Sequence, residues 1–351
     1  MASSLRVCAA GFGLMLGATV AQAAPTIVVF DAPGAKGETS ANTVNDAGDI
    51  TGYYATKKGL HGFIRSAEGD YTTFDVARKS DTLAYAINGG GAVAGWYTPH
   101  ATNVPHGFVR QANGKVEKFD APGAGGRFGT QCFLISDDGS AAGTFGDIGG
   151  VLHGFVRAPD GAITVVDAPG AGTGVNQGTY IANIAANGDT TGYYIDENFV
   201  DHGFLRKNNG KLVTFDVPGA ESTSAQAINI KGVAAGYYTD ANEVTHGFVR
   251  LAKDKFATFD APNSGTLAGE GTVGYGINRQ GEISGFTVDQ GFSYHGFVRS
   301  RSGRLKAVDA EGAGTGGNQG TVVQAIAPDT GEVVGFVIDG QGAMHGFFRT
   351  P

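Results

Sequence analysis

A pentapeptide, His-Gly-Phe-x-Arg, recurs at His61, His106, His153, His202, His246, His295 and His345, with separations of 45, 47, 49, 44, 49 and 50 residues. Self-similarity at such a period makes each unit one supersecondary piece that buries its apolar face only against its neighbours. A second string, Phe or Val followed by Asp, marks Asp31, Asp75, Asp120, Asp167, Asp216, Asp260 and Asp309. Six of these aspartates stand 14 residues after a histidine, while the rest of the repeat varies in length. A constant offset predicts a hairpin of constant register, here with Arg65 opposite Tyr71 and Ser66 to Asp70 as its loop. Gly69 falls where such a loop favours glycine, as do Gly114, Gly161, Gly210 and Gly303; Asp254 stands there in the fifth copy.

Upstream of each histidine lies a second short hairpin. Its outgoing strand reads Ile50-Thr51-Gly52-Tyr53-Tyr54 in the first unit, and a turn glycine stands four residues before the strand glycine in every copy. Those turn glycines are Gly48, Gly91, Gly139, Gly188, Gly232, Gly281 and Gly331. The preceding strand ends as in Ala86-Ile87-Asn88 and Ala227-Ile228-Asn229. Each unit thus carries four strands, a to d. Four strands in 44 to 50 residues match a β-propeller blade; a β-helix coil is much shorter and an immunoglobulin-like module needs about 100 residues. The 59 glycines and 22 phenylalanines suit short strands and tight turns, so the class is all-β.

The order of the pieces predicts closure. The chain opens with a lone strand d at residues 26 to 31 and ends with strands a, b and c. A seven-bladed propeller follows if the first strand completes the last blade and pairs Asp31 with His345, removing the free edges of an open array. Residues 25 to 351 then form one domain.

Residues 1 to 24 read as an export signal. Arg6 gives a basic start, residues 7 to 20 are a short apolar run, and Ala21-Gln22-Ala23 resembles a small-residue cleavage site. The run is too short for a spanning helix, which needs about 20 apolar residues. Cleavage would remove Cys8 and leave Cys132 alone, so no internal disulfide is available. Phe133, Leu134 and Ile135 beside it point to a buried, inert thiol. The net charge of −8 without a basic block argues against nucleic acid and anionic membranes as partners. An exported monomer, extracellular or periplasmic, is expected.

The His-Gly-Phe-x-Arg, Gly-x-x-x-Gly-Tyr-Tyr and Phe-Asp-x-Pro-Gly-Ala strings resemble the HAF-repeat family of extracellular bacterial proteins, over residues 26 to 349. Gly here replaces that family's Ala after the histidine, and Val166 and Val308 replace Phe. The resemblance implies export and a repeat fold, and it transfers no activity.

Seven histidines and seven aspartates tempt one toward a metal ring. Strands lie about 4.8 Å apart, so histidines on strand c of neighbouring blades stand too far apart to share an ion. Structural pairs are expected instead: His61 with Asp75, His106 with Asp120, His153 with Asp167, His202 with Asp216, His246 with Asp260, His295 with Asp309 and His345 with Asp31. No metal or other cofactor is expected. A threonine begins strand a in every unit, at Thr39, Thr82, Thr130, Thr179, Thr223, Thr272 and Thr321. Either its hydroxyl satisfies loop backbone or the seven make a polar ring at the channel mouth. Five blades place an aspartate four residues after the strand-b glycine, at Asp147, Asp196, Asp240, Asp289 and Asp339. These read as solvated loop carboxylates, with Ca²⁺ attraction as the alternative.

The connections from strand d to the next strand a vary most in length, which places a binding site on the face they share with the b–c loops. Candidate ligand-binding residues there are Arg127, Phe128, Asn176, Gln177, Asn318 and Gln319, whose amides and aromatic ring suit a sugar, although plain turn chemistry uses the same letters. Trp96 is either a stacking platform or packing between blades. His100, in a Pro-flanked loop, has no acid or base beside it in sequence. The expected function is an exported binding module for a glycan or a protein; the alternative is a hydrolase or lyase, for which no catalytic residues are assigned and which rests on fold analogy.

Overall fold

A computed structural model describes residues 25–351 apart from 252–254. The expected signal segment and Asp254 lie outside the described residues. Twenty-eight strands and no helix occur among the described residues, in seven meanders of four. In the first blade, strand a is Thr39–Val44, b is Ile50–Thr56, c is Gly59–Arg65 and d is Tyr71–Phe74, each antiparallel to the next. Arg65 pairs with Tyr71, the expected register. The six other inner strands are Ser80–Ile87, Thr130–Ile135, Gly178–Ile184, Ser222–Ile228, Gly271–Ile277 and Gly320–Ile326.

Blade seven borrows its outer strand from the other end of the chain. Ile27–Phe30 runs antiparallel to Met344–Arg349, with Phe30 opposite Gly346. The ring is tied a second time where the Met344 N–H donates to the Gly37 carbonyl and Glu38 bridges Met344, the parallel contact that Leu152 makes with Gly178, Thr245 with Gly271 and Tyr294 with Gly320.

Five of the seven blade interfaces repeat one zipper. The phenylalanine of His-Gly-Phe is buried in all seven blades. In five it meets the strand-d phenylalanine of the preceding blade edge to face, at 5.8 to 6.3 Å between centroids: Phe63 with Phe30, Phe108 with Phe74, Phe155 with Phe119, Phe248 with Phe215 and Phe297 with Phe259. The arginine two residues on lies over the same strand-d ring at 4.6 to 5.2 Å, a cation–π contact worth about 0.5 to 2 kcal/mol.

Size is exchanged across these interfaces. Where strand d supplies Phe30, Phe74, Phe119, Phe215 or Phe259, strand a of the next blade supplies Ala41, Ala84, Cys132, Ala225 or Gly274. Where strand d supplies Val166 or Val308, the partner grows to Ile181 or Val323, and each pair shares a buried cluster. A methyl group placed on Gly154 would lie 2.8 Å from Ile181, whereas one on Gly62 would lie 2.8 Å from the Phe74 ring. The same space is filled from either side, as dense packing demands. The two departures from Phe are therefore compensated.

Candidate functional site

Each inner strand contains a β-bulge, and the bulge dictates the glycine beside it. The register slips between Ala41 and Thr43, Ala84 and Ala86, Cys132 and Leu134, Ile181 and Asn183, Ala225 and Ala227, Gly274 and Gly276, and Val323 and Ala325. A bulge kinks the strand toward its partner. A Cβ on the facing glycine of strand b, Gly52, Gly95, Gly143, Gly192, Gly236, Gly285 or Gly335, would come within 1.8 to 2.1 Å of a strand-a carbonyl oxygen. Only glycine admits that approach.

The extra residue of each bulge is Asn42, Tyr85, Phe133, Ala182, Gln226, Tyr275 or Gln324, three positions after the strand-a threonine. All seven line a cavity of about 340 Å³ on the propeller axis, which opens among the a–b turns. Tyr180 completes an aromatic wall: Tyr85 meets Phe133 edge-on at 5.5 Å, and Phe133 meets Tyr180 at 5.4 Å. Gln226 and Gln324 put amides on the other side, whereas the Asn42 amide is buried, accepting from Ser40 Oγ and donating to the Ala84 carbonyl. Burial raises the pKa of the Tyr180 hydroxyl well above its ordinary value, helped by Tyr193, Tyr275 and Tyr85. Tyr275 keeps 40% of its surface open on the cavity it lines, yet the crowding protein raises its pKa too, with Tyr237 adding to the effect. These phenols stay neutral; Tyr275 is open to the cavity, while Tyr193 stacks on Tyr180 at 5.1 Å.

The charged lining residues are Asp46, Asp137 and Arg279, all at the mouth. Arg279, on the a–b turn of blade six, reaches across the axis: its Nη2 lies 3.4 Å from Asp137 Oδ2 of blade three. Its Nη1 donates to Asp329 of blade seven. Gly89 N–H fixes the other Asp137 oxygen at 2.9 Å.

This end of the ring is opposite the face expected from loop length. The sequence reading misses the axial residues because alternation along a strand loses phase at a bulge. The signal available for them is the obligatory strand-b glycine in every copy.

On the opposite face the six candidates divide. Arg127 stacks over Phe128 at 4.7 Å and donates to Asn176 Oδ1 at 3.1 Å, joining two crossings. Gln177 is buried, accepts from Gly174 N–H at 2.8 Å and donates to the Glu197 carbonyl, so its amide holds its own loop. Gln319 accepts from Gly316 N–H in the same way. Asn176 and Asn318 adopt left-handed backbone, with φ of 63° and 61°, and Asn318 Oδ1 accepts from Tyr294. The structure brings Arg127, Phe128 and Asn176 together and leaves Asn318 in a separate interblade gap.

The histidines sit at this end as expected. Six have Nδ1 within 2.6 to 3.0 Å of the paired aspartate; His295 stands 3.5 Å from Asp309 and closer, at 3.2 Å, to Asp289. The aspartates read as solvated in sequence have partners. Asp196, Asp240, Asp289 and Asp339 each accept two backbone N–H groups of their own b–c turn. With Asp147 they also turn an oxygen toward Nε2 of the blade's histidine, at 3.2 to 3.9 Å. Among the described residues no group of three or more His, Cys, Asp or Glu side chains is arranged to hold a metal ion.

The threonines resolve to the backbone alternative. All seven are buried and accept from the N–H that follows the strand-d aspartate, at 2.9 to 3.2 Å. Cys132 is buried and its thiol pKa is pushed up to about 12 by burial. Trp96 stacks on Tyr85 at 4.4 Å and is buried between blades. His100 does have an acid beside it: Asp81, near the start of the inner strand Ser80–Ile87, lies 3.3 Å away, partly exposed, and also accepts from Leu60 N–H.

No family model matches the chain, and no curated protein matches it. Solved structures do. The BP39L lectin from Burkholderia pseudomallei superposes with a TM-score of 0.55 at 8% identity, covering 88% of this chain and 94% of that chain. The β-propeller domain of Cps50 (Swd1) from Myceliophteria thermophila gives 0.52 at 8% identity, covering 93% and 99%. The puromycin hydrolase S511A mutant complexed with PGG gives 0.54 at 12%, covering 85% of this chain and 50% of that one. At such identities the likeness establishes the fold, and the fold is the β-propeller.

Proposed function

We propose that this chain is an exported glycan-binding module whose ligand enters the axial cavity through the a–b turns. The observation that carries the reading is the ring of bulge residues: seven equivalent positions hold Asn, Tyr, Phe, Ala, Gln, Tyr and Gln around one cavity. Scaffold positions repeat in every blade, and these do not. Phe133 and Tyr275 line the cavity with, among the described residues, no ring stacked on them and offer apolar faces to a sugar ring, and the Gln226 and Gln324 amides offer donors and acceptors. A few polar groups in a mostly apolar concavity is the common make-up of a small-ligand site. Export rests on the first 24 residues.

Glycan-array binding by residues 25 to 351 tests this reading. Tyr275→Ala and Phe133→Ala are expected to lower affinity by about tenfold or more, the scale of a lost stacking contact. Asn176→Ala and Asn318→Ala, on the opposite face, are expected to leave it unchanged. Loss of binding in the second pair with retention in the first would move the site to the opposite face.

A further inference from the structure

We infer that the ligand group read at the channel mouth is an ammonium, as on a sugar with a free amine, and that Arg279 occupies its place when the channel is empty. The inference deepens the glycan-binding reading and rests on it.

Three observations converge. The walls come first: Phe133 and Tyr275 line the channel with, among the described residues, no ring stacked on them, and the face of such a ring attracts a cation. The phenols are held neutral, so this attraction is uniform in sign across the pH range where an amine is charged.

The second is the balance at the mouth. Asp46, Asp137 and Asp329 stand around it. Asp46 Oδ1 accepts from Asp329 N–H at 2.7 Å and Asp137 Oδ1 accepts from Gly89 N–H, which fixes both carboxylates in place without neutralising them. A chain with net charge −8 adds to the preference for a cation.

The third is that a cation is already there. The Arg279 backbone is held from both flanking blades, and its guanidinium is anchored on blade seven. Its backbone N–H donates to the Pro328 carbonyl, Lys231 Nζ donates to its own carbonyl, and Nη1 holds Asp329. Its other amino group crosses from blade six to blade three for a contact of 3.4 Å, longer than a good charged hydrogen bond. Both partners of that contact are part-exposed. Asp137 Oδ2 is thus paired loosely and from across an opening, and a ligand ammonium entering over the rings meets the same oxygen at closer range. Arg279 can swing aside on its Asp329 anchor without leaving a buried charge unpaired.

The test uses isothermal titration of residues 25 to 351 with a β-1,4-linked glucosamine tetramer and its fully N-acetylated counterpart, in which each ammonium is replaced by a neutral acetamide; the Asp137→Asn ratio separates the charge from the added acetyl groups. The wild type is expected to bind the free-amine form roughly tenfold more tightly, the scale of a desolvated cation–π contact. Arg279→Gln should widen that ratio by removing the competitor, and Asp137→Asn should bring it close to one. Both are surface changes, and unchanged melting temperatures certify the fold. Equal affinity of the wild type for the two tetramers, or a ratio untouched in Asp137→Asn, overturns the ammonium assignment while leaving a glycan channel intact. Absence of binding to either tetramer, together with a blank glycan array, overturns both readings.

Discussion

His345 Nδ1 lies 2.9 Å from Asp31 Oδ1, joining residues 314 positions apart in the sequence. The contact repeats the one that His61 makes with Asp75 within a single hairpin. The last blade therefore uses the same local chemistry as the others, with one of its strands drawn from the far end of the chain.

Removal of residues 25 to 31 is expected to open the ring. It deletes Phe30, which packs on Phe63, Tyr71 and Phe348 and carries Arg65, and it bares the Met344–Arg349 edge. Loss of an aromatic of this kind costs about 3 to 5 kcal/mol. Urea unfolding should show that drop, and light scattering should show association through the free edge.

The exchange of size between blades predicts a compensating pair. Val166→Phe alone is expected to destabilise by about 1 to 3 kcal/mol, because Ile181 already fills the space over Gly154. Val166→Phe with Ile181→Ala reproduces the combination found at Ala41, Ala84 and Ala225 and should recover most of the loss. A double-mutant cycle by chemical denaturation reads the coupling, expected at about 1 to 3 kcal/mol.

Two glycines separate a frame requirement from a turn preference. An alanine at Gly192 would place its Cβ 2.0 Å from the Tyr180 carbonyl oxygen. Gly342, with φ of 83°, has open space around it. Gly192→Ala is expected to cost more than about 4 kcal/mol or prevent folding, and Gly342→Ala about 1 kcal/mol. Melting temperatures of the two proteins distinguish the cases.

Asp201 sets a pH dependence. Burial raises its carboxyl pKa from 3.8 to about 6, against the opposing pull of His202. A carboxyl with a higher pKa folded than unfolded contributes stability fully below the unfolded value and loses it as pH rises through the folded one. Stability from this group should therefore fall between about pH 4 and pH 6. Asp201→Asn is expected to flatten that slope and to raise stability near pH 7 by about 1 kcal/mol, after discounting for partial exposure. Urea midpoints measured from pH 4 to pH 8 check both.

Much of the frame is legible because its chemistry is local or repeated. The offset of 14 between histidine and aspartate is a hairpin length, and the missing seventh partner points directly to Asp31. The threonines are readable for the same reason: a hydroxyl at the start of each inner strand has the same N–H to satisfy seven times. The axial site is hidden by different physics. Tyr85 and Tyr275 stand in strands whose alternation is interrupted, so nothing in their neighbours announces that they face the axis. Gln177 and Gln319 show the converse, since amides that look available in a string of letters are taken up by their own loops. The approach of Arg279 to Asp137 joins positions 142 apart on opposite sides of a ring, which no spacing rule anticipates.

A carbonyl pressed against a glycine, with no side chain involved, is what holds each inner strand in its kink. The residue at the crest is thereby released from forming the kink, while Tyr85 still stacks on Trp96 and Asn42 still donates to the Ala84 carbonyl of the next blade. Seven such crests share one lumen, so an exchange at an open one such as Tyr275 alters what the lumen admits while the surrounding protein melts as before.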